Sequence, residues 1–281
     1  IMSLVTMKEV LDLAKSQNYA VPAYDAIDYA SVEAIIEGAE ELNSSVIIMV
    51  PEAALPLVNM EQFFEFIIQR VRLSTVPIAV QLDHGQNFET VIKAIHHGFS
   101  SVMIDGSALS FDENVALTKK VVDIAHAAGV SVEAEIGHVG GGEGNLEGSV
   151  VDKDLYTKPE DAKKFVDATN VDALAVAFGT VHGLYKSEPK LDLDLLREIK
   201  SLVNVPLVMH GGSGVSDEEF KKAVKAGINK INIFTEISMS ATETAVSYAS
   251  GKNNKIHFGE LVFVAKQNVK SLVKRYIELF K

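Results

Sequence analysis

The chain has 281 residues, 47% of them hydrophobic and 23% charged, with a formal net charge of -12 and no cysteine. An acidic chain without a basic stripe is a poor ligand for nucleic acid or an anionic membrane, so we expect neither partner. The lack of cysteine excludes disulfides, thiolate metal sites and cysteine nucleophiles. Because no linker-like segment, membrane span or signal peptide is recognisable, residues 1–281 are expected to form one domain of a soluble, cytoplasmic protein.

Apolar runs alternate with helical patterns along the chain. Runs rich in Val, Ile, Leu and Ala predict eight strands, within Tyr19–Tyr24, Ser45–Val50, Val76–Leu82, Ser101–Ile104, Ser131–Ile136, Ala173–Ala177, a run ending at Met209, and Lys230–Phe234. Helical spacing predicts helices over Ser31–Leu42, Met60–Arg70, Asn87–His97, Asn114–Ala128, Pro159–Thr169, Leu193–Val203, Asp217–Ala226 and Ile237–Ala249, and a further C-terminal helix over Phe258–Phe280.

Eight strands, each followed by a helix, predict an α/β protein of the (β/α)8 TIM-barrel class with an extra C-terminal helix. The strands read as continuous apolar runs, as expected where both faces of a parallel sheet are buried. An open doubly wound sheet is the alternative, but no Gly-x-Gly-x-x-Gly follows the first strand. In a TIM barrel the functional residues lie at the carboxyl ends of the strands.

Three histidines fall at such strand ends, and each is followed by glycine: His84, His182 and His210. Three neutral imidazoles that leave one coordination position open are typical of catalytic zinc sites. No local spacing supports this grouping, and a lone histidine is more often an ordinary core or surface residue. His138, in a glycine-rich loop, is expected nearby but outside the ligand set.

A phosphate pocket is predicted where the last two strands end. Pro206-Leu-Val-Met-His-Gly-Gly-Ser-Gly214 closes one strand, and Asn232-Ile-Phe-Thr235 closes the next. Glycines allow backbone N–H groups to approach an anion closely, and Asn232 and Thr235 would complete the opposite side. The alternative is that this segment is only a strand-to-helix turn.

Carboxylates at the same barrel mouth suit proton transfer. Asp83 adjoins the first candidate ligand and is expected to exchange a proton with a substrate oxygen. Glu143 lies in a glycine-rich loop that could fold over the substrate, although a plain solvent loop is the alternative. Asp105 and Glu135 suit a role in orienting a histidine or holding an additional cation.

Six segments together resemble the motifs of class II, zinc-dependent ketose-bisphosphate aldolases of the fructose- and tagatose-bisphosphate type. They occur in order and span nearly the whole chain: Leu82-Asp-His-Gly85, Ser101-Val-Met-Ile-Asp-Gly-Ser107, Val132-Glu-Ala-Glu-Ile-Gly137, Ala175-Val-Ala-Phe-Gly-Thr-Val-His-Gly-Leu-Tyr185, Leu207-Val-Met-His-Gly-Gly-Ser-Gly214 and Lys230-Ile-Asn-Ile-Phe-Thr-Glu236.

The resemblance implies a lyase that cleaves a ketose 1,6-bisphosphate through a zinc-stabilised enediolate, with a monovalent cation, Na+ or K+, as a further cofactor and a homodimer or homotetramer as the assembly. His84, His182 and His210 match the zinc ligands, Asp83 the acid/base and Glu143 the loop acid. The match for the dihydroxyacetone phosphate cradle comprises Gly183, Gly211, Gly212, Ser213, Asn232 and Thr235. Asp105 and Glu135 match carboxylates near an accessory metal position.

The acceptor side departs from the family pattern, because Asp25 ends the first strand and Pro51-Glu52 follows the second where relatives have polar neutral groups. This leaves open an aldolase for a different ketose 1-phosphate, such as a deoxy or sulfonated sugar phosphate. A metal-dependent phosphosugar epimerase or isomerase, which would not need Glu143, also remains open. So does a non-catalytic phosphosugar-binding protein, which would not need Asp83.

Overall fold

The structure is a computed structural model that describes residues 3–142 and 146–281. Eight parallel strands close into a barrel in chain order, each paired with its sequence neighbours and the last with the first. The strands are β1 (Val21–Asp25), β2 (Val46–Pro51), β3 (Ile78–Gly85), β4 (Ser101–Ile104), β5 (Ser131–Ile136), β6 (Ala173–Val176), β7 (Leu207–Met209) and β8 (Ile228–Ile233). The predicted TIM barrel is confirmed.

Helices surround the barrel and follow the strands as the sequence predicts, with ends shifted by a few residues. They are α1 (Met7–Gln17), α2 (Tyr29–Glu41), α3 (Met60–Arg72), α4 (Phe88–His96), α5 (Phe111–Ala127), α6 (Pro159–Thr169), α7 (Leu193–Leu202), α8 (Asp217–Ala226), α9 (Thr235–Gly251) and α10 (Phe258–Leu279). The largest shift is at α5, which begins at Phe111 because Ser110 and Glu113 form a capping box. The extra C-terminal helix α10 packs against α2 and α9.

Helix α1 was not predicted, and it seals the amino-terminal end of the barrel. A capping box between Thr6 and Glu9 starts the helix. Its apolar face, with Met7 and Leu11 fully buried, packs on inward-facing residues of five strands. The Met7 amide donates to Ser101 Oγ on β4 at 2.8 Å. The opposite end of the barrel is therefore the open one.

Polar side chains occupy the barrel interior near that open end. Alternate strand residues face the same side of a sheet, so Gln81 and Asp83 on β3 share a face, as do Glu133 and Glu135 on β5. Lys230 and Asn232 form the equivalent pair on β8, and none of the six side chains is more than slightly exposed. Among the described helices, none has both the length and the apolar character required to span a bilayer.

Candidate active site

The three predicted metal-binding histidines converge at the carboxyl ends of β3, β6 and β7. The ring centroids of His84 and His210 are 4.7 Å apart, those of His84 and His182 are 4.8 Å apart, and those of His182 and His210 are 5.6 Å apart. One nitrogen from each ring lies within 4.8 Å of the others. His84 has a positive φ of 44°, a backbone conformation that is uncommon outside glycine and that often accompanies a functional constraint.

Two carboxylates hold the outer nitrogens of this cluster. Asp105 Oδ2 lies 2.7 Å from His84 Nδ1, and Glu133 Oε1 lies 2.9 Å from His210 Nε2. A neutral imidazole has a single N–H, so these contacts assign the protons to the outer nitrogens. His84 Nε2 and His210 Nδ1, 2.9 Å apart, then turn lone pairs towards each other.

Facing lone pairs repel unless a cation lies beside them. The third ring, His182, is 7% exposed, and burial, the largest cause, holds its pKa well below the ordinary histidine value. It is therefore neutral and able to coordinate. Three imidazole donors, two of them oriented by carboxylates, fit a divalent metal ion.

Beneath His210 lies a buried charged network that sequence reasoning did not assign to the site. Glu133 Oε2 forms an ion pair with Lys230 Nζ, which is 2.8 Å away. The same oxygen accepts a hydrogen bond from Gln81 Nε2 at 3.0 Å. Burial alone would raise the pKa of Glu133, but Lys230 and His210 hold it below the ordinary value. Glu133 is thus an ionised anchor for His210.

Asp83, the predicted acid/base, is fully buried at the end of β3. Its Oδ1 is 3.4 Å from Asn232 Nδ2, while Oδ2 lies 3.8 Å from His84 Nε2 and has no hydrogen bond within the described residues. One carboxylate oxygen of Asp83 is therefore available beside the metal-facing nitrogen, and Asn232 orients the other.

The predicted accessory carboxylates lie on the β4 and β5 side of the cluster, where His84, Asp105 and Glu135 form a second group with metal-ligand spacing. Burial raises the pKa of Glu135, and the charge of Asp105 raises it further. Burial would also raise the pKa of Asp105, but the hydrogen bond from His84 lowers it to below the ordinary value. His138, bonded through Nδ1 to Ser107 Oγ at 3.0 Å, stays outside the histidine cluster.

The residues predicted to form a phosphate cradle lie at the ends of β6, β7 and β8. Gly211 has a φ of 65°, and a β-carbon there would lie 2.2 Å from the Val181 carbonyl oxygen, so only glycine fits. The Gly212 amide donates to the Asn232 carbonyl at 3.2 Å, and Ser213 Oγ accepts the Glu236 amide at the start of α9. Two further predicted members complete the set, buried Thr235 at the start of α9 and Gly183 after β6. Glu143 lies outside the described residues.

A cavity of about 250 Å³ opens on the β2 to β5 side of the histidines. His84 and His182 form its floor, and Pro51, Glu52 and Gln86 form one wall. None of the predicted cradle residues lines it. The cavity and the cradle are therefore on different sides of the metal-binding cluster.

A family model described as fructose-bisphosphate aldolase class-II matches residues 5–281. The chain belongs to this family. As an aldolase it is a lyase, and the resemblance seen in the sequence is confirmed.

Relatives of this class-II aldolase share its full length. The sulfofructosephosphate aldolase of Alkalicoccus urumqiensis is 39% identical over 280 residues, covering 99% of this chain and 97% of that protein. The fructose-bisphosphate aldolase of Staphylococcus aureus strain Mu50 is 39% identical over 283 residues, covering 99% and 98%. The crystal structure of the YdjI aldolase from Escherichia coli K12 superposes with a TM-score of 0.88 at 34% identity, covering 99% and 97%.

A sequence signal for the missed anchor does exist. Glu133 stands two residues before Glu135 in an otherwise apolar strand, and Lys230 stands two residues before Asn232 in another. Residues two apart in a strand face the same side, and charged residues in buried strands require partners. Glu133 and Lys230 are therefore candidates for an internal ion pair.

Proposed function

We propose that this class-II aldolase uses zinc to cleave a ketose 1-phosphate of the fructose or tagatose type reversibly into dihydroxyacetone phosphate and an aldehyde. The observation that carries the proposal is the free Oδ2 of Asp83, 3.8 Å from His84 Nε2 within a three-histidine cluster. A base beside a Lewis acid is what deprotonation of the hydroxyl at the cleaved bond requires.

The roles of the residues follow from their positions. His84, His182 and His210 would hold zinc, which when bound polarises the carbonyl and hydroxyl oxygens of the substrate. Asp83 takes the proton from the hydroxyl whose carbon becomes the aldehyde, and Asn232 keeps its carboxylate oriented. No lysine forms a Schiff base in this scheme.

The other half of the substrate is held by the cradle. Gly183, Gly211, Ser213, Asn232 and Thr235 bind the phosphate of the dihydroxyacetone phosphate unit through backbone N–H groups and short polar side chains, and Gly212, whose amide is paired with the Asn232 carbonyl, completes the cradle without donating to the phosphate. Glu143 exchanges the proton at the substrate carbon. Asp105 and Glu135 lie at an accessory metal position, and a separate monovalent cation, Na+ or K+, is a further cofactor. We further propose a cytoplasmic homodimer or homotetramer in which residues 1–281 act as one domain.

The far end of the sugar divides this proposal into two candidates. The fructose-bisphosphate aldolase name of the Staphylococcus relative supports a ketose 1,6-bisphosphate. The sulfofructosephosphate aldolase name of the Alkalicoccus relative, together with Glu52 at the cavity wall, supports a ketose 1-phosphate with a different end.

Replacement of Asp83 tests the chemistry. Asp83→Ala is expected to lower turnover by roughly 100-fold or more, since general acid-base catalysis contributes on this scale, while zinc and dihydroxyacetone phosphate still bind. Turnover is measured by coupled detection of dihydroxyacetone phosphate, and binding by calorimetry. Unchanged turnover would contradict the role of Asp83, and full activity after complete metal removal would contradict the proposed chemistry. Ketose interconversion without aldehyde release would favour an epimerase or isomerase.

A further inference from the structure

The wall of the active-site cavity carries an acid held in one position by four hydrogen bonds. Glu52 directly follows β2 and begins a short 3-10 helix, Glu52–Leu57. Its Oε2 accepts the amides of Gln86 at 2.7 Å and Asn87 at 3.2 Å. Its Oε1 accepts Asn87 Nδ2 at 2.6 Å and Thr90 Oγ1 at 2.9 Å. The carboxylate is therefore fixed at the start of α4.

These donors are of the kind that a phosphate would otherwise use. The amino end of a helix attracts anions, and the backbone amides beside it are donors that an anion can use. Asn87 is the N-cap of α4, and Glu52 already takes its amide and the amide of Gln86. A phosphate in this part of the cavity would find these donors occupied and would meet a fixed negative charge.

Apart from the proposed metal position, the described lining of the cavity brings no lysine or arginine to offset that charge. Among these described lining residues, Glu52, Asp105 and Glu135 are acidic. Asp105 is paired with His84, whereas Glu52 makes its four bonds to neutral groups. The volume of about 250 Å³ is at the small end of ligand cavities, which favours a short portion of the sugar beyond the cleaved bond.

We infer that Glu52 selects substrates whose far end is uncharged, so that the aldehyde product is a short hydroxyaldehyde without a phosphate or other anionic group. This inference rests on the proposed function and restricts the second of its two candidates to ends that carry neither a phosphate nor a sulfonate. Glu52 acts by electrostatic exclusion, because a like charge placed in the binding site disfavours the wrong ligand even where its shape would fit.

The test compares aldehydes that differ only in their phosphate. Dihydroxyacetone phosphate is supplied with zinc-loaded enzyme, and its consumption is followed with glyceraldehyde and glyceraldehyde 3-phosphate, and with erythrose and erythrose 4-phosphate. We expect kcat/KM to favour the neutral member of each pair by about tenfold or more, and this preference to narrow as ionic strength rises. Glu52→Gln, which removes the charge but keeps the shape, should raise kcat/KM for the phosphorylated aldehydes by about tenfold and change it little for the neutral ones.

The chain offers a matched control. Glu9 caps α1 at the sealed end of the barrel, where its carboxylate accepts the Thr6 amide at 2.7 Å. Glu9→Gln also removes one capping carboxylate, but it should leave the preference between aldehydes unchanged. Glu52→Asp, which keeps the charge, should retain the preference as well.

Each outcome decides the inference. A wild-type enzyme that prefers the phosphorylated aldehydes would overturn the role of Glu52 and leave the proposed function intact, and this comparison needs no variant to fold. Retention of the full preference in folded Glu52→Gln would overturn it too. If dihydroxyacetone phosphate is consumed with none of the four aldehydes, the proposed function is overturned and the inference with it.

Discussion

The ion pair under the histidine cluster gives a prediction whose size follows from burial. Glu133 and Lys230 are both 0% exposed, and the carboxylate also holds His210 Nε2 at 2.9 Å. Glu133→Gln removes the negative charge and leaves the ammonium of Lys230 buried. Breaking one side of a buried ion pair costs about 3–5 kcal/mol, which in a chain of 281 residues lowers the Tm by about 5–8 °C.

The same substitution should weaken metal binding. A glutamine can accept one of the bonds that the carboxylate accepts, but it anchors the ring of His210 less firmly. Loss of such a supporting contact typically costs about 10–100-fold in metal affinity. Thermal melting of the metal-free protein at neutral pH measures the first effect, and competition with a chromophoric zinc chelator measures the second.

Two further variants test the reasoning. Glu65 is exposed on α3, so Glu65→Gln should change stability by less than about 0.5 kcal/mol. The double variant Glu133→Gln/Lys230→Met removes both charges and should be more stable than Glu133→Gln alone. A Tm for Glu133→Gln equal to that of Glu65→Gln would refute the argument, as would purely additive losses in the double variant.

Two other substitutions probe the cradle and the helices that surround the barrel. Gly211→Ala should destabilise the protein and weaken dihydroxyacetone phosphate binding, because the added β-carbon would lie 2.2 Å from the Val181 carbonyl oxygen; unaltered melting and binding would contradict the predicted fit. Burial, and then the charge of Lys15, lower the pKa of Lys200 to about 8. Below that pH, protonated Lys200 therefore destabilises the folded state. Lys200→Met should therefore stabilise the protein by about 1 kcal/mol at pH 7, which is less than the full pKa shift implies because Lys200 is partly exposed. This gain in stability should shrink between about pH 8 and 10.5, where the folded and then the unfolded protein lose the proton of Lys200. Melting curves of the wild type and Lys200→Met across this pH range measure the gain in stability. A gain that does not change with pH would contradict the prediction.

Some features of the site were predictable because they depend on local order along the chain. His84, His182 and His210 each end an apolar run, and parallel strands in a closed barrel bring their carboxyl ends to one mouth. The convergence of the rings therefore followed from strand order alone. Helix α1 was not predicted, although its capping box and apolar spacing are visible in the sequence, because it precedes the first strand and stands outside the strand-helix repeat.

Other features depend on which inward positions meet across the barrel. The alternation of side chains shows that Glu133 and Lys230 both face inward, but not that they face each other, since that depends on strand stagger and tilt. The bonds of Glu52 to the two amides just before α4 likewise join residues 34 and 35 apart in sequence. Its role as a helix cap could not be read from neighbouring residues.

The sequence by itself determined the barrel, the order of its elements and the chemical types gathered at its mouth, because strand and helix periodicity and the polarity of strand ends are local properties. Only the tertiary structure decided which carboxylate holds which imidazole, which lysine neutralises Glu133 and where Glu52 turns its charge. Those pairings are set by the register of closed strands, and short-range pattern carries no information about contacts made across the barrel.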